Sequence, residues 1–84
     1  MMDRITSIKI ALPTMEDAKE FVALAADCPV EMDLRAGRYV VDAKSILGIL
    51  SLGSREVLLL DIYGRAPEAF LEKLAPFMVQ DDRP

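Results

Sequence analysis

The 84-residue chain contains no histidine and no tryptophan, and it has a single cysteine, Cys28. Without histidine, these residues lack the commonest general base and metal ligand and offer no imidazole to carry a phosphoryl group. One cysteine excludes a disulfide within the chain and, with no other soft ligand, leaves no zinc site. We therefore expect no catalytic centre, metal or cofactor, and a free thiol fits the reducing cytoplasm.

Long apolar segments and runs of basic residues are also absent. The longest apolar runs are far short of the roughly 20 residues that span a membrane, and residues 1–4 lack the features of a signal peptide. The ten basic residues are scattered and the formal net charge is −4, which argues against binding to nucleic acid or anionic membranes. These absences predict a cytoplasmic protein with basic or neutral protein partners.

The composition that remains is typical of a small folded domain. Hydrophobic residues make up 52% of the chain and charged residues 29%, which favours a packed core over disorder. We expect one domain over residues 1–84, because a chain of this length has no room for a second. A core this thin gives modest stability and is often supported by a partner.

The pattern of apolar residues predicts seven elements. Alternation predicts strands, while apolar residues at intervals of three and four predict helices. Thr14 and Ser45 are placed to cap helices, Gly37 to turn a hairpin, and Gly53 to end the second helix. The predicted elements are a strand over 4–12, a helix over 15–27, strands over 30–34 and 39–41, a helix from Ser45 to Leu52, a strand over 57–63 and a helix from Pro67 that ends or bends near Ala75, followed by a frayed tail over 80–84.

This order, βαββαβα, predicts an α+β fold. Half-apolar strands and amphipathic helices pack as a two-layer open-faced sandwich, here a four-stranded antiparallel sheet covered on one face by three helices. Two strand orders remain open from spacing alone. One is the ferredoxin-like split βαβ arrangement with an extra helix, which would suit a domain that binds small molecules or proteins. The other has the same elements in a different strand order.

The run from Asp42 to Gly53 carries a resemblance that separates these alternatives. Its central letters, K-S-I-L-G-I-L-S-L-G, resemble the regulatory-serine segment of HPr, the phosphocarrier protein of the bacterial sugar phosphotransferase system. The likeness of element order extends from the first strand to the last helix. It implies the HPr strand order and a regulatory or binding role beside phosphotransferase-system proteins.

The resemblance also shows what this chain has replaced. HPr proteins carry phosphate on a histidine in a G-x-H-A-R-P-like run at the start of the first helix. A gapless comparison places Thr14 near that histidine and Glu16 near the arginine. Thr14 is a poor substitute, because a phosphate ester of threonine does not transfer its phosphoryl group as phosphoimidazole does. We therefore expect Thr14 to act as a helix cap.

Ser45 is the candidate for regulation. Its structural role is to cap the second helix, and the resemblance adds phosphorylation by an HPr kinase, with the phosphate facing the first amides of the helix and Lys44 adjacent. The apolar stripe predicts that Ile46, Ile49 and Leu50 face the core while Leu47 points towards solvent. By the resemblance, the residues that dock partners are Lys44, Ile46, Leu47 and Leu50.

Two further expectations concern surfaces. The same apolar patch, or the edge strand of the hairpin, offers a route to a weak homodimer. The strand residues Tyr39 and Tyr63 are expected to be buried, and Arg35 is expected on a solvated rim.

Overall fold

The computed structural model describes residues 5–52 and 57–79. The predicted helix end at Gly53 and the predicted tail over 80–84 therefore lie outside the described residues. The elements are β1 Ile5–Ile10, α1 Met15–Ala26, β2 Glu31–Ala36, β3 Tyr39–Asp42, α2 Ile46–Ser51, β4 Leu58–Tyr63, α3 Glu68–Leu74 and a 3₁₀ turn Ala75–Phe77. All seven predicted elements are present, with ends that differ by one or two residues in most cases.

The four strands form one antiparallel sheet in the order β1-β4-β2-β3. β4 lies between β1 and β2, the two strands that α1 connects. In the ferredoxin-like arrangement the third strand occupies that central place, so the ferredoxin-like alternative is wrong. The α+β sandwich with HPr strand order is confirmed.

One face of the sheet carries the core. Alternate residues of β4 point to this face, and Leu60 and Ile62 are almost completely buried there. Phe21 of α1 and Leu74 of α3 are also fully buried and belong to the same apolar cluster. Each such side chain contributes roughly 1.5–3 kcal/mol when it is removed from water. The opposite face, which we call the open face, has no helix over it among the described residues.

The hairpin of β2 and β3 turns at Gly37 and Arg38. Gly37 has φ of +61°, a backbone conformation that costs an L-residue with a side chain roughly 1–2 kcal/mol. A positive φ at the first of two turn residues matches the right-handed twist of the adjoining strands. This explains why glycine stands at the position that the sequence predicted for the turn.

The end of the described chain returns to β1. α3 ends at Leu74, and Pro76 lies in the 3₁₀ turn that follows, as the sequence predicted. The next residues then pair with the end of β1: Ala11 N–H donates to the Phe77 carbonyl at 2.9 Å, and Val79 N–H donates to the Lys9 carbonyl at 2.9 Å. This short pairing attaches the C-terminal segment to the outer edge of the sheet.

Candidate functional site

Ser45 caps α2 with its side chain. The residue has extended backbone angles, and its Oγ accepts a hydrogen bond from Gly48 N–H at 3.0 Å. Its amide donates to the Asp42 carbonyl at 3.1 Å, and its carbonyl accepts from Ile49 N–H at 3.0 Å. The predicted cap is thus confirmed. The side chain is half-buried, so its oxygen is partly accessible while it satisfies the first turn of the helix.

The four apolar residues of α2 do not all lie where the stripe predicted. Ile49 is buried and Ile46 is half-buried, but Leu50 is 42% exposed and Leu47 is 77% exposed. The exposure of Leu47 agrees with the prediction, whereas the assignment of Leu50 to the core was wrong. A helix of only six residues buries a narrower strip than a longer helix, because it makes fewer than two turns.

A shallow cleft of about 200 Å³ separates the start of α1 from the second half of α2. Exposed Met15 forms one side, and Ile49 and Leu50 form the other. The cleft is lined by Leu12, Pro13, Thr14, Met15, Ala18, Ile49 and Leu50. With Leu47 on the same helix, these side chains present an apolar surface that we call the α1/α2 surface.

Thr14 stands at the rim of this cleft and is fully engaged. Its Oγ1 accepts from Asp17 N–H at 3.0 Å and donates to the Asp17 carboxylate at 2.8 Å. The predicted role as the cap of α1 is confirmed. The Asp17 carboxylate lies in the first turn with Glu16, and together they make the helix start anionic.

Lys44 makes a hydrogen bond to another element through its side chain. Its Nζ donates to the Cys28 carbonyl at 2.8 Å, at the C-terminal end of α1. That position suits a cation, because the carbonyls at a helix end carry partial negative charge. The Lys44 ammonium is therefore bound just beyond the end of α1, while its backbone stays adjacent to Ser45 in sequence.

Gly48 has a packing role in the middle of α2. A Cβ at this position would stand 3.1 Å from the Val41 Cβ and 3.3 Å from the Ser45 Oγ. The absence of a side chain therefore lets α2 approach β3 closely and leaves room for the cap. The sequence identified the glycine but not its neighbours.

The open face carries a polar network that the sequence analysis missed. Asp61 of β4 is only 5% exposed. The Arg35 Nε and Nη2 donate to its two oxygens at 2.5 and 3.1 Å, and Ser7 Oγ donates at 2.6 Å. The hydrogen bonds from Arg35 are the main cause that lowers the pKa of Asp61 below its ordinary value, and the bond from Ser7 adds to them. Burial acts in the opposite direction. The aspartate inside the otherwise apolar run of β4 is the sequence feature from which this network could have been predicted.

A second pair lies beside this network. The hydroxyl of Tyr63 donates to the Asp33 carboxylate at 3.0 Å, and this bond raises the pKa of Tyr63 above its ordinary value. Both tyrosines are exposed, so the prediction of buried tyrosines was wrong. Arg35, expected on a solvated rim, is half-buried and ion-paired. These groups satisfy one another's hydrogen bonds across the open face.

Two classes of site find no support in the described ranges. No group of three His, Cys, Asp or Glu side chains is arranged to hold a metal ion within residues 5–52 and 57–79. In the same ranges the longest helix, α1, has 12 residues, and none of the helices is long and apolar enough for a bilayer crossing. The α1/α2 surface is therefore the strongest candidate.

Comparison with known proteins agrees with this geometry. Residues 15–79 match the family model described as the PTS HPr component phosphorylation site. The structure is similar to that of phosphocarrier protein HPr from Bacillus anthracis strain Ames, with a TM-score of 0.69 and 25% identity over 94% of this chain and 100% of that chain. It is also similar to HPr-C-His from Thermoanaerobacter tengcongensis, with a TM-score of 0.65 and 28% identity over 90% and 89% of the two chains. No curated protein sequence matches at a significant level.

Proposed function

The chain belongs to the HPr family, and from this premise we propose that it is a cytoplasmic regulatory or binding protein of the phosphotransferase system that carries no phosphohistidine. The observation that carries the proposal is the α1/α2 surface, an exposed apolar patch next to an accessible serine. Its partners are other proteins of the phosphotransferase system or their regulators, and it catalyses no reaction of its own.

The chemistry of the α1 start supports binding without phosphoryl relay. These 84 residues include no histidine, so no phosphoimidazole forms on them. Thr14 takes the equivalent position in our comparison, and its hydroxyl is held by Asp17 on both its donor and its acceptor side. Two acidic residues in the first turn would also repel an incoming phosphoryl group.

The exposure of apolar side chains supports a protein partner. Three large apolar side chains are exposed to solvent, those of Leu47, Leu50 and Met15. Residues of this type are usually buried in the core. Clustered exposed apolar residues around a shallow depression are typical of protein interfaces. Ile46 is half-buried and the Lys44 ammonium is bound to the Cys28 carbonyl beyond the other end of α1, so we expect Leu47 and Leu50 to make the main contacts.

Phosphorylation of Ser45 is the proposed regulatory step. A phosphate on this oxygen would add about two negative charges next to Leu47. It would also replace the hydroxyl that now caps α2, with the phosphate oxygens available to the same amides. The change in charge would alter which partner the apolar surface accepts.

Binding tests the first part of the proposal. The isotope-labelled chain is titrated with the purified first enzyme of the phosphotransferase system and, separately, with an HPr kinase. We expect amide shifts at the start of α1 and along α2, and binding that Leu47→Glu weakens by about tenfold or more. Val57→Glu, which changes an equally apolar exposed residue outside this surface, should leave binding intact. Shifts confined to the open face, or no shifts with either protein, would reject the proposal.

Phosphorylation tests the second part. Incubation with HPr kinase and ATP should add one stable phosphate to the wild-type chain and none to Ser45→Ala. Incubation with phosphoenolpyruvate and the first enzyme should add none to either. Equal labelling of Ser45→Ala by the kinase would exclude the serine, and acid-labile phosphate from the second reaction would contradict loss of the relay.

A further inference from the structure

The free edge of β3 has the features of a strand that pairs with another chain. Tyr39 is 64% exposed and Val40 is 54% exposed, and no strand of the described residues lies beyond β3. A bare apolar edge is a ready template for strand addition. We propose that two copies of this chain pair through β3 in antiparallel orientation and form one continuous eight-stranded sheet.

The direction of the backbone groups supports this pairing. Ala43 N–H donates to the Met32 carbonyl at 3.1 Å, and hydrogen-bonded pairs alternate along an antiparallel ladder. Val40, opposite Arg35, therefore falls at a position without bonds to β2. Its N–H and carbonyl point to the free edge, where a second Val40 would accept one bond and donate the other.

Charge selects this register over its neighbours. With Val40 opposite the partner's Val40, Arg38 stands opposite the partner's Asp42, and the same pair recurs on the other side of the two-fold axis. A shift of the partner by two residues in either direction removes this pairing, because Lys44 or Val40 of the partner then stands opposite Arg38. Of these three registers, only the one with Val40 opposite Val40 pairs each Arg38 with an Asp42, and the two-fold symmetry makes both salt pairs equivalent.

The interface would be small. Pairing of four-residue strands buries much less than the roughly 1,200 Å² of a standard stable interface. We therefore expect a reversible dimer with a dissociation constant of about 0.1–1 mM. Such a dimer leaves the apolar face of α2 that carries Leu47 to other partners, so it does not depend on the proposed regulatory function.

Cross-linking tests the register. In a Cys28→Ala background, Val40→Cys places two thiols about 5.5 Å apart at their Cα atoms, within the range of a disulfide. Tyr39→Cys, on the same strand and equally exposed, places them diagonally at roughly 8 Å, beyond that range. Mild oxidation should yield disulfide dimer at least about tenfold faster with Val40→Cys. Equal rates, or a faster reaction of Tyr39→Cys, would overturn the proposed register.

Sedimentation equilibrium up to about 1 mM protein tests the association itself. We expect a dimer in the wild type, its loss in Val40→Lys, and about tenfold weaker association in Arg38→Asp, because two attractive pairs become repulsive. Ile5→Lys, at an exposed position of β1 on the opposite edge of the sheet, is the control and should dimerise normally. A wild type that stays monomeric, or a dimer that survives both Val40→Lys and Arg38→Asp, would refute pairing through β3.

Discussion

Arg35 and Asp61 join β2 to β4 across the open face, through two hydrogen bonds between one guanidinium and one carboxylate. Ser7 of β1 binds the same carboxylate, so three strands converge on one acidic side chain. Asp61 stands in the central strand and is almost inaccessible. The network therefore connects β1, β4 and β2 on the open face of the sheet.

Asp61→Asn should lower the free energy of unfolding by about 1–3 kcal/mol. The substitution leaves Arg35 without its carboxylate and removes a charged acceptor from Ser7. Urea unfolding followed by circular dichroism measures the change. Asp27→Asn, at an exposed helix end where negative charge is unfavourable, should leave stability equal or slightly higher. Equal losses of unfolding free energy in the two variants would show that the effect of Asp61→Asn comes from the removal of one negative charge and not from the network.

The same carboxylate predicts a loss of stability in acid. Its pKa is lower in the folded chain than in the unfolded chain, so the unfolded chain binds more protons as the pH falls between the two values. The contribution is thus complete above the unfolded pKa of about 3.9 and is lost as the pH falls through the lower, folded pKa. Urea midpoints measured from neutral pH to pH 3 should fall less for Asp61→Asn than for the wild type. Parallel curves would contradict the assignment.

Tyr63 predicts an effect at the alkaline end. Its hydroxyl donates to Asp33, which raises its pKa, so its contribution is present below the ordinary value of about 10 and is lost as the pH rises through the folded pKa. Near-ultraviolet absorbance should show that Asp33→Asn makes Tyr63 ionise at lower pH than in the wild type. Asp42→Asn should leave the ionisation of Tyr63 unchanged.

Ser45 predicts a difference between removal and replacement of the cap. Ser45→Ala should reduce stability by roughly 0.5–2 kcal/mol, because the Gly48 amide loses its acceptor. Ser45→Asp keeps an acceptor and should cost less, which makes it usable as a charged variant in binding experiments. Chemical denaturation of the two variants provides the comparison, and an Ala variant as stable as wild type would show that the cap is unimportant.

The local elements could be predicted from the sequence because their signals are local. Pro13 and Pro76 restrict the backbone, Thr14 caps a helix and Gly37 adopts a positive φ, and the structure places an end or a turn at each one. Strand order is a different matter. β1 and β2 have similar patterns, and nothing in their own residues states that β4 lies between them. The strand order could be predicted only from the resemblance of residues Lys44 to Gly53 to the HPr segment.

The errors at individual side chains have a common origin. Arg35 meets Asp61 from a diagonal position on the neighbouring strand, so the contact depends on a register that no sequence pattern reveals. Tyr63 falls on the open face for the same reason. Leu50 was assigned by a periodicity that α2 is too short to sustain.

The bond from Lys44 to the Cys28 carbonyl gives the chain an internal reporter. Among the lysines of the described residues, Lys9, Lys19 and Lys73 are exposed, while Lys44 alone has its ammonium bound to a backbone carbonyl. An amine-reactive label should therefore modify Lys44 last, and the rate at that one site would follow how often the connection between the end of α1 and the start of α2 opens. A partner that closes over this region would slow acylation there without altering the other three amines.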